Sequence, residues 1–272
     1  MNKVTTPYFY FLSDDDVVFT TFFSEAVEQL KQNPSAMLAA GGTLELTPDG
    51  SLLFAPQAFW PRDGLYTPEQ GLSFMLRGYH PSWNTILFRT EVLRTIGTFD
   101  ASIPNVSDVD FTLRITCRYP YILFRRPCGV FTRHSQSGSE FTDPGVLNQI
   151  DTMMERLYSD PLISSYCQDA IRNNLATMKR KRILQVAIKH LIRREPHDAH
   201  LAMSIYHGTN PPTALSALVT AIASIGQRFP VVLISFGPLE LLRRAVRQTA
   251  SRIAAAKNGV PLNFKEQLRA LG

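Results

Sequence analysis

Three consecutive aspartates, Asp14, Asp15 and Asp16, are the residues of this chain with the clearest capacity for chemistry. They follow an apolar run over residues 9–12 that has the composition of a buried strand. Carboxylates at the C-terminal end of a strand lie where ligands bind in open α/β sheets, and their hard oxygen atoms suit Mg²⁺ or Mn²⁺. A bound cation would offset the repulsion between the three acids. A solvated turn, or an acidic N-terminus for the helix predicted over 20–32, explains the same residues without a ligand.

The elements that must position these acids alternate between strands and helices, which predicts a layered α/β domain. Strands are predicted within residues 7–12, 36–46, 51–56 and 121–135, a strand and a short helix within 86–100, and helices over 20–32, 68–77 and from Ser107. The short helix is expected to stop at Gly97, and the segment 36–56 reads as a hairpin. From about residue 145 the apolar spacing is helical throughout, so the second half is expected to be mainly helical.

The charge of the chain differs between its halves. Residues 1–150 hold 11 Lys and Arg against 15 Asp and Glu, a balance of −4, whereas residues 151–272 hold 17 against 8, a balance of +9, which together give the net +5. The second half is therefore expected to face something anionic. Three scattered cysteines without a CxxC pair exclude a disulfide framework and favour a reducing, cytosolic setting.

The basic helices of the second half suit two kinds of anionic partner. Basic amphipathic helices bind anionic membrane surfaces, and a non-catalytic membrane-binding module is one reading of this region. No nucleic-acid motif accompanies them, so no nucleic acid is expected as a partner. No run of about 18 apolar residues predicts a membrane span. His197 and His200, in the sequence HDAH, lack the glutamate of a zincin motif and are read as a surface turn.

One enzyme class with a matching acidic strand is that of the haloacid-dehalogenase-like phosphatases. Their pattern of an apolar strand followed by D-x-D would make Asp14 the nucleophile and Asp16 the acid/base. That class also requires a later G-D-x-x-x-D, which this sequence lacks.

Residues 6–18, TPYFYFLSDDDVV, resemble the metal-binding aspartate motif of family 2 glycosyltransferases, which are inverting enzymes of the GT-A fold. In that family the strand commonly ends in L-D-x-D-D, and Ser13 stands where the first Asp often is. The resemblance implies that Asp15 is the main ligand of a divalent cation, Mg²⁺ or Mn²⁺, with Asp14 or Asp16 assisting.

Residues 80–134 are similar to the acceptor-side half of the same family. There a strand and a short helix lead to a G-x-F-D turn, an acidic helix start with a later Arg follows, and a final strand ends in His. The residues that match these motifs are, in chain order, Gly97, Phe99, Asp100, Ser107, Asp108, Asp110, Arg114 and His134.

The resemblance implies a role for several of these residues. Asp108 would be the base that deprotonates the acceptor hydroxyl, and the metal would stabilise the nucleoside diphosphate that leaves. His134 matches a position that reaches the metal or the diphosphate. The residues expected to bind substrate are His80, Trp83, Asn84, Asp110 and Arg114. Apart from the resemblance, Asp108 reads as an N-terminal helix acid, His134 as a loop histidine and Trp83 as a core residue. Arg114 reads as a residue that pairs with an acid or packs, and Asp110 as one that orients a loop.

The expected organisation is an α/β domain followed by a helical region. Residues 1–144 would form a partial GT-A domain, a Rossmann-like sheet with flanking helices, and residues 145–272 a basic, mainly helical C-terminal region. Only thirteen residues precede Asp14, so the family's nucleotide-binding half is expected to be missing or supplied by another chain, and little turnover is expected of this chain alone. The expected partners are a nucleotide-sugar donor, a saccharide or lipid-linked acceptor and an anionic membrane surface, at a cytoplasmic location that includes the inner face of the membrane.

Overall fold

The structure is a computed structural model that describes residues 4–47, 50, 52–54, 60–133, 145–229 and 249. A mixed sheet with flanking helices occupies the first part of the chain, and helices follow. The predicted α/β class is therefore confirmed, and the predicted helical character of the second part is confirmed over residues 145–229. None of the helices described combines the length and the apolar character that a membrane crossing requires.

The described strands belong to one sheet of seven. They are β1 Tyr8–Tyr10, β2 Val17–Val18, β3 Leu38–Leu46, β4 Leu52–Phe54, β5 Gly64–Tyr66, β6 Ile86–Arg89 and β7 Tyr121–Thr132. The main path through the sheet is β1-β6-β3-β7-β2, while β4 also pairs with β3 and β5 also pairs with β7. The β3–β7 pair is parallel and the other five pairs are antiparallel. The predicted hairpin corresponds to the antiparallel pairing of β3 with β4.

The helices flank the sheet and then pack on one another. They are α1 Thr20–Gln32, α2 Pro68–Phe74, α3 Val92–Thr95, α4 Ser107–Thr116, α5 Gly145–Ser159, α6 Ser165–Ile192, α7 Pro196–Thr209 and α8 Ala214–Arg228. A π-helical turn over Met75–Tyr79 extends α2, and 3-10 turns precede β6 and α4 at Trp83–Thr85 and Pro104–Val106. The predicted glycine stop after the short helix is confirmed, since Gly97 has a φ of +82°.

The central strands are buried on both faces, which explains their continuous apolar sequence. Leu38 and Ala40 of β3 belong to a buried cluster that also includes side chains of α4 and α5. Ala39, between them, points to the opposite face and packs with Phe22 and Leu30 of α1. A third cluster joins α6, α7 and α8. The sheet therefore has a hydrophobic layer on each side, and the last helices have a core of their own.

Glycines allow β3 and β7 to approach each other closely at an irregularity in their register. The pairing shifts around Gly42, which lies opposite Pro127. A Cβ atom on Gly42 would lie 2.4 Å from the carbonyl oxygen of Arg125 and 2.7 Å from that of Arg126. The segment 121–135, predicted as one or two strands, is thus a single strand over its described residues, with a bulge in the middle.

One expectation about local structure was wrong, and another holds over a shorter range. The strand predicted within 7–12 is present over Tyr8–Tyr10, and the chain then leaves the sheet towards the aspartates. His197 and His200 lie in the helix α7 rather than in a surface turn. The second difference arises because the chain turns at Arg194, which has a positive φ, and α7 begins at Pro196. The sequence pattern did not indicate that turn.

We predict that Gly42→Ala lowers the free energy of unfolding by about 2 to 3 kcal/mol, because the new methyl group would meet two backbone carbonyls that cannot move independently of the sheet. Equilibrium denaturation with urea measures the change. The matched control is Gly208→Ala in α7, where a Cβ atom meets nothing within 4 Å. It should raise stability by up to about 1 kcal/mol, because alanine favours a helix. Equal effects of the two substitutions would contradict the account of the β3–β7 contact.

Candidate functional site

The acidic turn, residues 13–16, joins strands that lie at opposite ends of the sheet. β1 is antiparallel to β6, β6 is antiparallel to β3, and β3 is parallel to β7, so β1, β3 and β7 run in the same direction. The chain leaves the C-terminal end of β1 and returns as β2, antiparallel to β7. The acidic turn therefore lies on the side of the sheet where the parallel strands end, which is the side that binds ligands in open α/β sheets.

The three aspartates differ in their surroundings. Asp14 and Asp15 form a turn and are exposed, whereas Asp16 is half-buried. Oδ1 of Asp16 accepts a hydrogen bond of 2.9 Å from the backbone N–H of Thr132, the last residue of β7. Asp16 thus fastens the turn to the sheet, and the carboxylates of Asp14 and Asp15 are the ones presented to solvent.

A buried hydrogen-bond chain lies next to the acidic turn. The hydroxyl of Tyr10 donates to the carbonyl oxygen of Asn84 at 2.7 Å, and the Nδ2 of Asn84 donates to the carbonyl oxygen of Val130 at 2.9 Å. Burial, and then the negative charge of Asp16, raises the pKa of Tyr10 to about 12, so its hydroxyl stays a donor at neutral pH. This chain links β1, the 3-10 turn before β6, and β7.

Asn84 is fully buried, and within the described part of the chain its Oδ1 has no hydrogen-bond partner. A buried amide oxygen left without a donor carries a desolvation cost of about 1–3 kcal/mol. Asn84 therefore lies in the interior, hydrogen-bonded to Tyr10 and Val130. The resemblance implies that it contacts substrate.

An aromatic cluster connects the acidic turn to α4. Its members are Phe9, Phe11, Trp83, Phe88, Phe99 and Phe111. Trp83 stacks on Phe11, with 4.6 Å between the ring centroids, and Phe11 lies only two residues before Ser13. Trp83 and Phe88 each contact Phe111 of α4 edge-on. The half-buried Trp83 is thus a packing residue of this cluster, and the cluster fixes α4 relative to the turn.

Asp108 lies in the first turn of α4 with an exposed side chain. Its Oδ1 accepts a hydrogen bond of 2.8 Å from the N–H of Val109, and its carbonyl oxygen accepts one of 2.9 Å from the hydroxyl of Thr112. A carboxylate in the first turn of a helix is stabilised by the helix dipole. The sequence analysis predicted this helix start near Ser107, and that prediction is confirmed.

Asp110 and Arg114 form a buried ion pair one turn apart on α4, with 2.8 Å between Oδ2 and Nε. The other two nitrogens of the guanidinium donate to the carbonyl oxygens of Ile96 at 2.6 Å and Thr98 at 2.8 Å. The pair therefore holds the turn at Gly97 between them. Asp110 and Arg114 thus make structural contacts with each other and, through Arg114, with the turn at Gly97. The resemblance implies that both side chains bind substrate.

Arg156 of α5 was missed by the sequence analysis. It pairs with Asp100 through Nη2, and its Nη1 lies 3.5 Å from Oδ2 of Asp110. Hydrogen bonds of 2.7 and 2.8 Å from Ser102, and then the charge of Arg156, lower the pKa of the Asp100 carboxyl below its ordinary range. No local pattern marks Arg156, because its partners lie about 50 residues away in the chain.

Of the two candidate histidines, His80 and His134, the structure describes only His80. His80 is half-buried, and its Nδ1 lies 3.5 Å from the carbonyl oxygen of Pro81. His134, expected to reach the metal or the diphosphate, lies outside the described residues. It directly follows Arg133, whose backbone N–H donates to Leu46 at the end of β3.

The exposed carboxylates of the acidic turn fit a divalent cation. Mg²⁺ and Mn²⁺ prefer carboxylate oxygens and commonly use one or two protein carboxylates together with phosphate oxygens of a substrate. Asp14 and Asp15 supply such oxygens, and Asp16 keeps them at the sheet edge. The fit therefore rests on two ligands and one anchoring residue.

Comparison with known proteins leaves the family open. A scan of the chain against protein-family models found no match, and a search of curated proteins found none either. The function must therefore be argued from the site.

We predict that Ser102→Ala raises the pKa of Asp100 towards its ordinary value, because both the hydroxyl and the ordered backbone donor of Ser102 favour the ionised form. A lowered folded-state pKa stabilises the protein above the unfolded pKa of about 4, and this contribution is lost as the pH falls through the folded value. The free energy of unfolding of the variant should therefore fall less than that of the wild type as the pH is lowered below about 4. Carbon-13 NMR titration of the Asp100 carboxyl measures the shift. Ser107→Ala is the control, since that hydroxyl donates to a carbonyl of Pro104. An unchanged titration in Ser102→Ala would contradict the assignment.

Proposed function

We propose that this protein is a family 2-like, inverting glycosyltransferase that transfers a sugar from a nucleotide sugar to a hydroxyl of an acceptor. The observation that carries the proposal is the acidic turn at the C-terminal side of β3 and β7, with Asp14 and Asp15 exposed and Asp16 tied to Thr132. The ordered motifs of residues 80–134 support the same family.

Asp14 and Asp15 would hold a divalent cation, Mg²⁺ or Mn²⁺. Such a cation neutralises the charge that develops on a leaving diphosphate. Asp16 would act as a positioning residue, because its hydrogen bond to Thr132 keeps the turn against the end of β7. His134, next in the chain after Arg133, is proposed to reach the same metal or the diphosphate.

Asp108 would accept the proton of the acceptor hydroxyl as that oxygen attacks the anomeric carbon. Its exposed side chain, in the first turn of α4, leaves room for an acceptor. The aromatic cluster would keep α4 at a fixed distance from the acidic turn, because Trp83 contacts both Phe111 of α4 and Phe11, which lies two residues before the turn. Proton transfer and metal binding would thus be assigned to separate elements of one rigid site.

The remaining candidate residues divide into contacting and positioning groups. His80 and Trp83 are partly exposed and are proposed to contact the acceptor. Asn84 is fully buried, so we propose that it positions the turn through Tyr10 and Val130. Arg114 and its partner Asp110 are likewise proposed to position substrate-facing residues, since Arg114 donates to the turn at Gly97 and Asp110 holds Arg114 in place.

The acceptor class that we propose first is a lipid-linked saccharide at an anionic membrane surface. Three large apolar side chains of α8 and one at its C-cap are 46–60% exposed, and at 100° per residue they occupy one narrow stripe of the helix. They are Leu215, Leu218, Ile225 and Phe229. An exposed apolar stripe beside basic helices is typical of proteins that lie on membranes.

The phosphatase alternative is supported less well. It would require Asp16 to exchange a proton with the leaving group as the acid/base of a D-x-D motif. Oδ1 of Asp16 instead accepts a hydrogen bond from the backbone of Thr132. Release of inorganic phosphate from phosphomonoesters, lost in Asp14→Asn, would favour this alternative.

We predict that the chain binds nucleoside diphosphates in a Mn²⁺-dependent manner and that Asp15→Asn weakens this binding by about tenfold or more, because it removes a ligand of the cation. Asp169→Asn, at an exposed acid of α6, is the control and should bind like the wild type. Calorimetric titration with a panel of nucleoside diphosphates measures the affinity.

The same preparation tests the assignment of Asp108. Transfer from radiolabelled nucleotide sugars to lipid-linked and free saccharides, however slow in the wild type, should fall by about a hundredfold or more in Asp108→Asn, because a general base contributes about 10²–10⁴ in rate. Nucleotide binding should be unchanged in that variant. Equal nucleotide binding by the wild type and Asp15→Asn would contradict the proposed metal site.

A further inference from the structure

The turn between α6 and α7 has a defined geometry that brings distant side chains together. Arg194 adopts a left-handed conformation with a φ of 64°. The N–H of Glu195 donates to the carbonyl oxygen of His190 at 2.8 Å, and the N–H of Arg194 donates to that of Leu191 at 3.1 Å. These two bonds form a complete Schellman motif. The motif folds Glu195 back over the last turn of α6, so Glu195 lies beside His190.

Three metal-ligating side chains meet at this turn. The Nδ1 of His190 lies 2.8 Å from Oε2 of Glu195. Asp198 lies three residues after Glu195, in the first turn of α7. One ligand atom from each of the three side chains lies within 4.8 Å of the other two. A single ion could therefore reach all three with small side-chain adjustments.

The burial of the three side chains suits a site that is open to solvent on one side. His190 is only 6% exposed, so its ring is fixed by the packing of α6 against α7. Glu195 and Asp198 are exposed and lie at the mouth of the cluster. A fixed imidazole behind two mobile carboxylates leaves an approach path for an ion and room for a water ligand.

The two carboxylates give the cluster a formal charge of −2, which a divalent ion would neutralise. Arg193 and Arg194 in the same turn bring positive charge nearby and partly offset this attraction. A simple ion pair between His190 and Glu195 would explain their short contact, and the helix dipole favours an acid such as Asp198 in the first turn of α7. A site for an ion is indicated by the convergence of one ligand atom from each of the three side chains within 4.8 Å.

We propose that His190, Glu195 and Asp198 bind a Zn²⁺ ion that fastens α6 to α7. One imidazole nitrogen and two carboxylate oxygens are ordinary ligands of zinc, which accepts three protein ligands and a water in tetrahedral geometry. The ion would lie at the border of the cluster that joins α6, α7 and α8. Its role would be to stabilise this helical region, independently of the acidic turn.

The test is a calorimetric titration of the full chain with Zn²⁺ after removal of metals with a chelator. The wild type should bind one equivalent saturably, and its thermal midpoint should rise by about 5 °C in excess zinc, because an ion that binds the folded state alone stabilises it. Glu195→Gln and Asp198→Asn should each weaken binding by about tenfold or more. Both residues are exposed, so these variants are expected to fold.

Controls separate this site from other zinc ligands of the chain. Glu155→Gln, at an exposed acid of α5, should bind zinc like the wild type. A double variant with Asp14→Asn and Asp15→Asn should also bind zinc at the turn between α6 and α7 with wild-type affinity. The outcome is therefore independent of the proposed glycosyl transfer. Absence of saturable binding in the wild type, or equal affinity in wild type, Glu195→Gln and Asp198→Asn, would overturn the proposal. A fall in the thermal midpoint of Glu195→Gln that is the same with and without zinc would also overturn it, because an ion pair alone would explain it.

Discussion

The close parallel pairing of β3 with β7 is the contact on which the rest of the structure depends. β6 and β4 pair with β3, while β2 and β5 pair with β7, so every other strand is placed directly or through β6 by this pair. Two glycines of β3 make this approach possible, because a Cβ atom on Gly41 would meet Cys128 and one on Gly42 would meet the backbone at Arg125. A third glycine, Gly129 of β7, allows β2 to approach in the same way, since a Cβ atom there would meet the backbone at Val17. Larger residues at these points would separate the strands and displace the elements on either side.

The candidate site follows from this arrangement. Because β1 runs parallel to β3 and β7, the chain that leaves β1 must pass the ends of both strands before it returns as β2. Asp16 holds the acidic turn against Thr132 through a hydrogen bond, and the aromatic cluster fixes the position of α4 relative to that turn. Arg156 then joins α5 to two acids of the preceding region, Asp100 and Asp110. The acidic turn, the helix-borne carboxylate of Asp108 and the residues that support them thus form one connected unit, although they come from distant parts of the sequence.

Local features of this fold were predictable from the sequence, and long-range ones were not. Apolar periodicity and a following proline defined α1, and a glycine that favours positive φ defined the stop at Gly97. The positions of β1 and β2 at opposite ends of the sheet depend on strand pairing that no local pattern encodes. For the same reason the sequence identified Asp110 and Arg114 as residues of interest, but it did not indicate that Arg114 also donates hydrogen bonds to the turn at Gly97. The sequence did not indicate the cluster of His190, Glu195 and Asp198. Its side chains are brought together by the left-handed conformation of Arg194, which residue types alone rarely indicate.

The most direct measurement is paramagnetic broadening of backbone amide resonances by Mn²⁺ at substoichiometric concentration. If the acidic turn holds a divalent cation, the amides of Asp14, Asp15 and Thr132 should lose intensity first, and a double variant with Asp14→Asn and Asp15→Asn should keep its intensity there. The amides of α8 should be unaffected at the same concentration. Undiminished signals at the acidic turn, or broadening confined to the turn between α6 and α7, would contradict the assignment of the acidic turn as a cation site.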